Sequence, residues 1–289
     1  MGEVKLSAVR EDSIIRLLDD DSPPVRAALK EELKRLDSAG VELLKRLKSS
    51  PNRFLAAQAE DYLETLQGPD AVDEFVRFIR SLHYELETGS LLLNRTVFPD
   101  VSVAECCILL DAMAARCREL LVLPSSAREQ CKVLNRVIFH EYGFRGNVED
   151  FDDPLNSMFS HVLQRRKGIP ISLSIVYILA AQRCGLQLEP VNMPQRFMVG
   201  CFLDEVPFYI DVFERGTFRS VGDLRSFLRQ NNFAFESHYL APAPVGEVLA
   251  RCCRNLIHQY NRRKDPKFAG IFSRFVEEFE LAYGRPAGP

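Results

Sequence analysis

Hydrophobic residues recur along this chain with two different periods, and the change from one to the other marks its plan. Up to about residue 142 the spacing is helical. The most apolar stretch follows, from Pro170 to Cys184, where Ile171, Ile175, Ile178 and Leu179 line one side of a helix and Leu173, Val176, Tyr177 and Ala180 line the other. A helix that is apolar all round belongs inside a protein. Pro170 suits its first turn, where a missing N–H costs nothing, and Gly185 suits the left-handed position that ends it. After it come three short apolar runs bounded by prolines, Leu186–Val191, Phe197–Phe202 and Phe208–Phe213, which read as strands. Leu203-Asp204-Glu205-Val206 is a tight connection, so the last two should pair antiparallel.

The N-terminal part repeats itself. Leu17, Val25, Leu29, Leu33 and Leu36 recur with an offset of 30 as Leu47, Leu55, Ala59, Leu63 and Leu66. Asp19-Asp20-Asp21-Ser22-Pro23-Pro24 and Ser49-Ser50-Pro51-Asn52 stand where the second helix of each unit should open, as capping residues and an early proline do. This predicts two HEAT-like helical hairpins. Two units are fewer than a stacked array needs, so the module is expected to lean on the rest of the chain as a cap. Gly68-Pro69 closes it.

Helical spacing continues from Ala71 to Leu93. A further helix, Ser102 to Leu121, should carry a Ser102/Glu105 capping box, and another should run from Ser125 to Tyr142 and stop at Gly143. Downstream of the strands, Asp223–Gln230 reads as a helix, and Glu247–Tyr260 with Pro266–Tyr283 as a helical hairpin. The fold class is α+β: a buried central helix against a small antiparallel sheet, flanked by helices. The expected division is a HEAT-like module over residues 1–67, a core domain over 68–240 and a helical hairpin over 241–289.

Composition narrows the function. A net charge of -3 argues against a mainly electrostatic nucleic-acid binder. The basic triplets Arg165-Arg166-Lys167 and Arg262-Arg263-Lys264 read as solvated surface. No apolar run approaches the ~20 residues that span a bilayer, and Met1-Gly2-Glu3-Val4-Lys5 lacks a secretory pattern, so neither a membrane nor export is expected. The eight cysteines form no C-x-x-C pattern, and they read as buried thiols in a reducing cytoplasm rather than metal ligands or disulfides. Asp150, Asp152 and Asp153 lack the ligand order of a calcium loop and read as solvated or capping carboxylates. His140 and His161 read as surface or core-edge side chains. Neither G-x-x-x-x-G-K nor G-x-G-x-x-G occurs. No metal or cofactor is expected.

Several motifs keep a fixed order: Glu141-Tyr142-Gly143-Phe144-Arg145-Gly146-Asn147, Asp153-Pro154-Leu155-Asn156-Ser157, Gly168-Ile169-Pro170-Ile171-Ser172-Leu173-Ser174, Pro194-Gln195-Arg196-Phe197 and Ile210-Asp211. In that order the chain resembles the bacterial SirB-type transglutaminase-like family, related to a domain of some eukaryotic F-box proteins. The likeness begins near Leu86 and fades after about Ser220, with a weaker continuation over Val248–Leu256, where the family often carries a tetratricopeptide-like tail. The resemblance implies a transglutaminase-like, papain-like core. It also implies a site built from a Cys at the start of the central helix, a His on the next strand and an Asp on a neighbouring strand, the helix N-terminus and the His together activating the thiol.

Two of those three positions differ here. No cysteine lies between Cys131 and Cys184, and Ser172 occupies the helix start. Where the family commonly has Pro-Gly-His-Phe, Arg196 stands in the His position, and a guanidinium cannot act as a base. Asp211 alone matches. The degenerate site positions Ser172, Arg196 and Asp211 therefore point to a non-catalytic scaffold or binding protein, with a protein partner. The alternative is acyl transfer or hydrolysis by Ser172 or Ser174 with a distant base. If Asp204-Glu205 is a two-residue turn, Met198 falls opposite Asp211, which sets Arg196 and Asp211 as diagonal neighbours on one sheet face, placed to form an ion pair in the old cleft.

Overall fold

The computed structural model describes residues 8–20, 22–36, 38–67, 70–203 and 205–284. The N-terminal pentapeptide, Asp21, Gly68-Pro69, the side chain of Leu66 and the Asp204 of the expected turn lie outside what is described. By packing, the chain falls into two units, Met1–Glu74 and Phe75–Pro289.

In the first unit, α1 (Ala8–Leu17), α2 (Pro23–Arg35), α3 (Ser38–Lys48) and α4 (Arg53–Gln67) follow one another. Their apolar stripes meet in one cluster of Ile14, Leu18, Leu29, Leu33, Leu36, Leu43, Leu44, Ala59 and Tyr62, with Leu47, Leu55 and Leu63 at its margin. Leu17, the first position of the sequence repeat, is 41% exposed. The buried stripe of α1 instead runs through Ile14 and Leu18, four residues apart on one helix face, and Leu17 sits a residue out of phase with it. Asn52 opens α4, its Oδ1 accepting from the N–H groups of Phe54 at 3.1 Å and Leu55 at 3.3 Å. Ser22 occupies the equivalent place before α2, but its side chain makes no capping bond.

The expected single helix from Ala71 to Leu93 is two, α5 (Ala71–Ser81) and α6 (Leu86–Arg95). Leu82 turns left-handed at φ 59, and Glu85 starts the new helix by accepting from the N–H groups of Glu87 at 2.9 Å and Thr88 at 2.6 Å. Helix α7 (Val103–Leu120) has half the expected box: Ser102 Oγ accepts from Glu105 N–H at 3.2 Å. A complete box, Ser126 with Glu129, opens α8 (Ala127–Asn135), which continues as a π-helical turn over Arg136–Glu141. Then come β1 (Arg145–Gly146), α9 (Phe159–Arg165), β2 (Lys167–Gly168) and the buried helix α10 (Pro170–Arg183).

Four strands follow, β3 (Glu189–Met193), β4 (Arg196–Cys201), β5 (Phe208–Asp211) and β6 (Thr217–Arg219), antiparallel in that order. β6 is too short and mixed to carry a period of its own, and sequence alone did not suggest it. The β4–β5 register, Val199↔Ile210 to Cys201↔Phe208, is the one a two-residue turn requires, and it extends to place Met198 opposite Asp211. Helices α11 (Val221–Gln230), α12 (Val245–Arg262) and α13 (Pro266–Ala282) complete the second unit. The unit is thus mostly helical, with one small antiparallel sheet. No helix among the described residues is long and apolar enough to cross a membrane.

Strand alternation decides what each sheet face carries. Met198 and Tyr209 join Val191, Met193 and the α11 residues Leu224 and Leu228 in one cluster, so the even-numbered side chains of β4 look toward α11. Cys201 lies beside Tyr177 of α10 and Cys131 of α8, so the odd-numbered ones look toward the central helix.

Met193 and Arg196 close on the two-residue turn Pro194-Gln195, where Gln195 is left-handed at φ 56. A side chain there is strained, whereas glycine is not. We therefore expect Gln195→Gly to raise stability by about 0.5–1 kcal/mol, read as an upward shift in the urea midpoint at constant slope.

Candidate functional site

The family-like motifs meet at the N-terminus of α10, and what they build there is a buried polar network. β1 and β2 run parallel, Arg145↔Lys167 and Gly146↔Gly168, which carries Asn147 to the start of the helix. Its N–H donates to the Gly168 carbonyl at 3.0 Å, and its Nδ2 donates to Asn156 Oδ1 at 3.0 Å. Asn156 Nδ2 in turn donates to the Asp150 carbonyl at 2.7 Å. The Ser172 hydroxyl donates to the Asn156 carbonyl at 2.5 Å and accepts from Ile169 N–H at 3.1 Å. Beside them, Ser157 Oγ donates to Gln259 Oε1 of α12 at 2.8 Å. Chain reversal at a helix start leaves main-chain groups without partners, and in a buried place side-chain amides must satisfy them.

Ser172 is 2% exposed, and each of its hydrogen bonds goes to main chain. Neither a histidine nor a carboxylate is among its partners. Ser174 is buried too, and its Oγ has no hydrogen-bond partner among the described residues. Cys252 of α12 lines the small cavity that Ser172 also lines, and burial pushes its thiol up to about 12, so it stays protonated at neutral pH. His161 is half-buried with its ring 4.1 Å from that of Phe98, and burial holds its pKa below the usual value. His140 is exposed.

The other two positions do meet each other. Arg196 Nη2 donates to Asp211 Oδ2, an ion pair in which the aspartate side chain is 1% exposed and the arginine 23%. Arg219 Nε stands 3.8 Å from the same oxygen, and Glu214 N–H donates to Asp211 Oδ1 at 3.3 Å. The guanidinium carbon of Arg196 lies 4.8 Å from the centre of the Phe227 ring in α11. By strand alternation this pair belongs to the α11 face of the sheet, whereas α10 covers the other face. The expectation that Arg196, Asp211 and Ser172 share one cleft is therefore corrected. The sheet itself stands between the pair and the serine.

Arg251 of α12 was not foreseen. Its Nη1 donates to Asn192 Oδ1 and to the Met193 carbonyl at 2.8 Å, its guanidinium carbon lies 5.5 Å from the centre of the Phe197 ring, and burial lowers its pKa. It ties the end of β3 to α12. Gln259 and Arg251 left no readable signal, because a polar residue far in sequence from its partner has no period to betray it.

The acidic and basic segments prove to be each other's partners. Arg165 Nη1 sits 2.7 Å from Asp153 Oδ2, Arg263 Nη2 3.0 Å from Asp153 Oδ1 and Arg262 Nε 3.0 Å from Asp152 Oδ2. Asp153, expected as a solvated or capping carboxylate, is buried and both caps and pairs, its Oδ1 accepting from Leu155 N–H at 3.2 Å. These arginines, expected as solvated, are tied to that loop.

Against this geometry, comparison with known proteins is informative. A family model described as the transglutaminase-like superfamily matches residues 104–254, just over half of the chain. A UPF0162 protein of Xylella fastidiosa (strain 9a5c) is 29% identical over 181 residues, 61% of this chain and 64% of the relative. A UPF0162 protein of Vibrio cholerae is 29% identical over 130 residues, 45% of this chain and 48% of the relative. F-box only protein 21 of Mus musculus is 36% identical over 132 residues, 43% of this chain but 21% of the mouse protein. The chain thus spans less than two thirds of the length of these relatives. No solved structure matches it. On the family match, which runs from α7 across the central helix and the sheet into α12, the chain belongs to the transglutaminase-like superfamily.

Proposed function

We propose that this protein is a non-catalytic, cytoplasmic member of its superfamily, a scaffold that binds a protein partner through a fold whose catalytic positions have been given to structure. The observation that carries this reading is the pairing of Arg196 with the buried Asp211 on the sheet face turned away from Ser172. An arginine held in an ion pair takes no proton, and a serine whose hydroxyl is spent on main-chain groups has no base to activate it. In this reading α1–α4 are two HEAT-like hairpins and α12–α13 a tetratricopeptide-like hairpin, both serving as helical flanks. The loop above the N-terminus of α10 offers apolar contact, with Val148 76% exposed and Phe151 beside it at the surface. The same segment in F-box only protein 21 makes up a fifth of a longer chain, which fits use as a module.

The test is turnover of glutamine-donor and amine substrates by the intact chain, before and after alkylation of all eight cysteines. We expect no thiol-dependent product. The double substitution S172C and R196H should stay equally inactive, because the restored thiol and imidazole would lie on opposite faces of the sheet. Product formation abolished by alkylation, in either protein, would overturn the reading.

A further inference from the structure

Away from the α10 N-terminus, the C-terminal end of the same helix holds a second arrangement that the proposed function does not use. Cys184 is the residue on which α10 ends, half-buried, and its Sγ donates to the Ala114 carbonyl of α7 at 3.7 Å. Ala114 lies three residues before Cys117, almost one turn along α7, so the sulfur of Cys184 rests on the part of that helix from which Cys117 projects. The two thiols are near enough to shift each other's titration, Cys117 upward and Cys184 downward. Cys117 is wholly buried, whereas Cys184 reaches the surface. Arg118 closes the group from outside, its Nη1 donating to the Arg183 carbonyl at 2.8 Å, next in sequence to Cys184.

We propose that Cys117 and Cys184 form a peroxide-responsive dithiol, in which Cys184 is the attacking cysteine, Cys117 the resolving one, and a disulfide between α7 and the end of α10 the product. Three features assign the roles. Exposure gives the oxidant access to Cys184 and denies it to Cys117. The neighbouring Cys117 and the Arg118 cation lower the pKa of Cys184, whereas Cys184 and burial raise that of Cys117, so the thiolate is favoured on Cys184. Cys184 Sγ rests on the turn of α7 that carries Cys117, so the second step needs no unfolding. The other adjacent thiols, Cys252 and Cys253, are buried and held protonated, and Cys106 is pushed up to about 11 by burial.

The chemistry balances with hydrogen peroxide as the oxidant. The Cys184 thiolate attacks one peroxide oxygen, the O–O bond breaks, and the departing hydroxide takes a proton to leave as water, giving a sulfenic acid. The sulfur of Cys117 then attacks that of Cys184, its own proton goes to the displaced hydroxide, and a second water leaves. Two thiols lose two electrons to one peroxide.

The experiment treats the folded full chain with hydrogen peroxide, blocks remaining thiols, and maps peptides without reduction. The expected result is loss of two of the eight free thiols and a linked peptide pair holding Cys117 and Cys184, about 2 Da lighter than the sum of its parts. Cys117→Ala should halt the reaction at a Cys184 sulfenic acid that dimedone traps, and Cys184→Ser should leave Cys117 reduced. Should either variant fail to fold, the wild-type map decides alone. A wild-type chain that gives no Cys117–Cys184 link, or that links either cysteine elsewhere, overturns the proposal.

Discussion

Replacing Arg196 with Met is expected to destabilise the protein by about 3 kcal/mol, more than replacing its partner Asp211 with Asn. The asymmetry follows from burial. Asp211 is 1% exposed, so loss of the guanidinium strands a carboxylate where water cannot reach it. What remains to it is one N–H from Glu214 at 3.3 Å and Arg219, whose Nε at 3.8 Å is near enough to help without making a hydrogen bond. That second cation keeps the cost at the lower end of the range for a broken buried pair. In Asp211→Asn the stranded group is Arg196, which keeps its place over Phe227 and has 23% of its side chain in solvent, so about 1–2 kcal/mol is expected. Urea unfolding of the two variants at neutral pH decides it. A larger loss for Asp211→Asn, or losses under ~1 kcal/mol for both, would show that the pair is a surface contact rather than a structural plug.

Gly216→Ala should cost more still, about 3–5 kcal/mol, from two independent causes. Gly216 is left-handed at φ 78, a conformation a Cβ resists. A Cβ built there would also lie 2.1 Å from Asn135 Oδ1 and 2.5 Å from its Nδ2. Asn135 cannot step aside freely, because its Nδ2 donates to the Gly216 carbonyl at 2.8 Å and its Oδ1 accepts from Tyr177 of α10 at 2.8 Å. The turn after β5, the end of α8 and the central helix are joined through this one amide. If so, Asn135→Ala should relieve the clash, and the double variant should lose clearly less than the two singles added together. Additive losses would place the whole cost in the backbone and remove Asn135 from the account.

The pairing of Arg196 with Asp211 shows where sequence reasoning was sufficient. Two apolar runs joined by a short polar turn fix a register, and register fixes which side chains share a face. The central helix was equally plain, since an all-round apolar segment with proline at one end and glycine at the other has one reading. The break between α5 and α6 was not, because the helical spacing runs through Leu82 and only its left-handed backbone interrupts it. Nor was the ion pairing between the 150–153 loop and Arg262 and Arg263 at the end of α12, which are more than a hundred residues away.

What the sequence determined by itself was the class of the longer elements, the burial of α10, the family-like order of motifs and the absence of Cys and His from the positions where transglutaminase-like chemistry would want them. These follow from local rules: period, turn chemistry and residue identity. Tertiary structure alone decided which sheet face looks toward α10, and therefore that Ser172 and the Arg196–Asp211 pair are separated by the sheet. The alternation of a strand specifies that two side chains lie together but leaves open what packs on either side. That choice is made by helices α10 and α11 competing for the two faces, a matter of contacts between residues far apart in the chain, which no local pattern records.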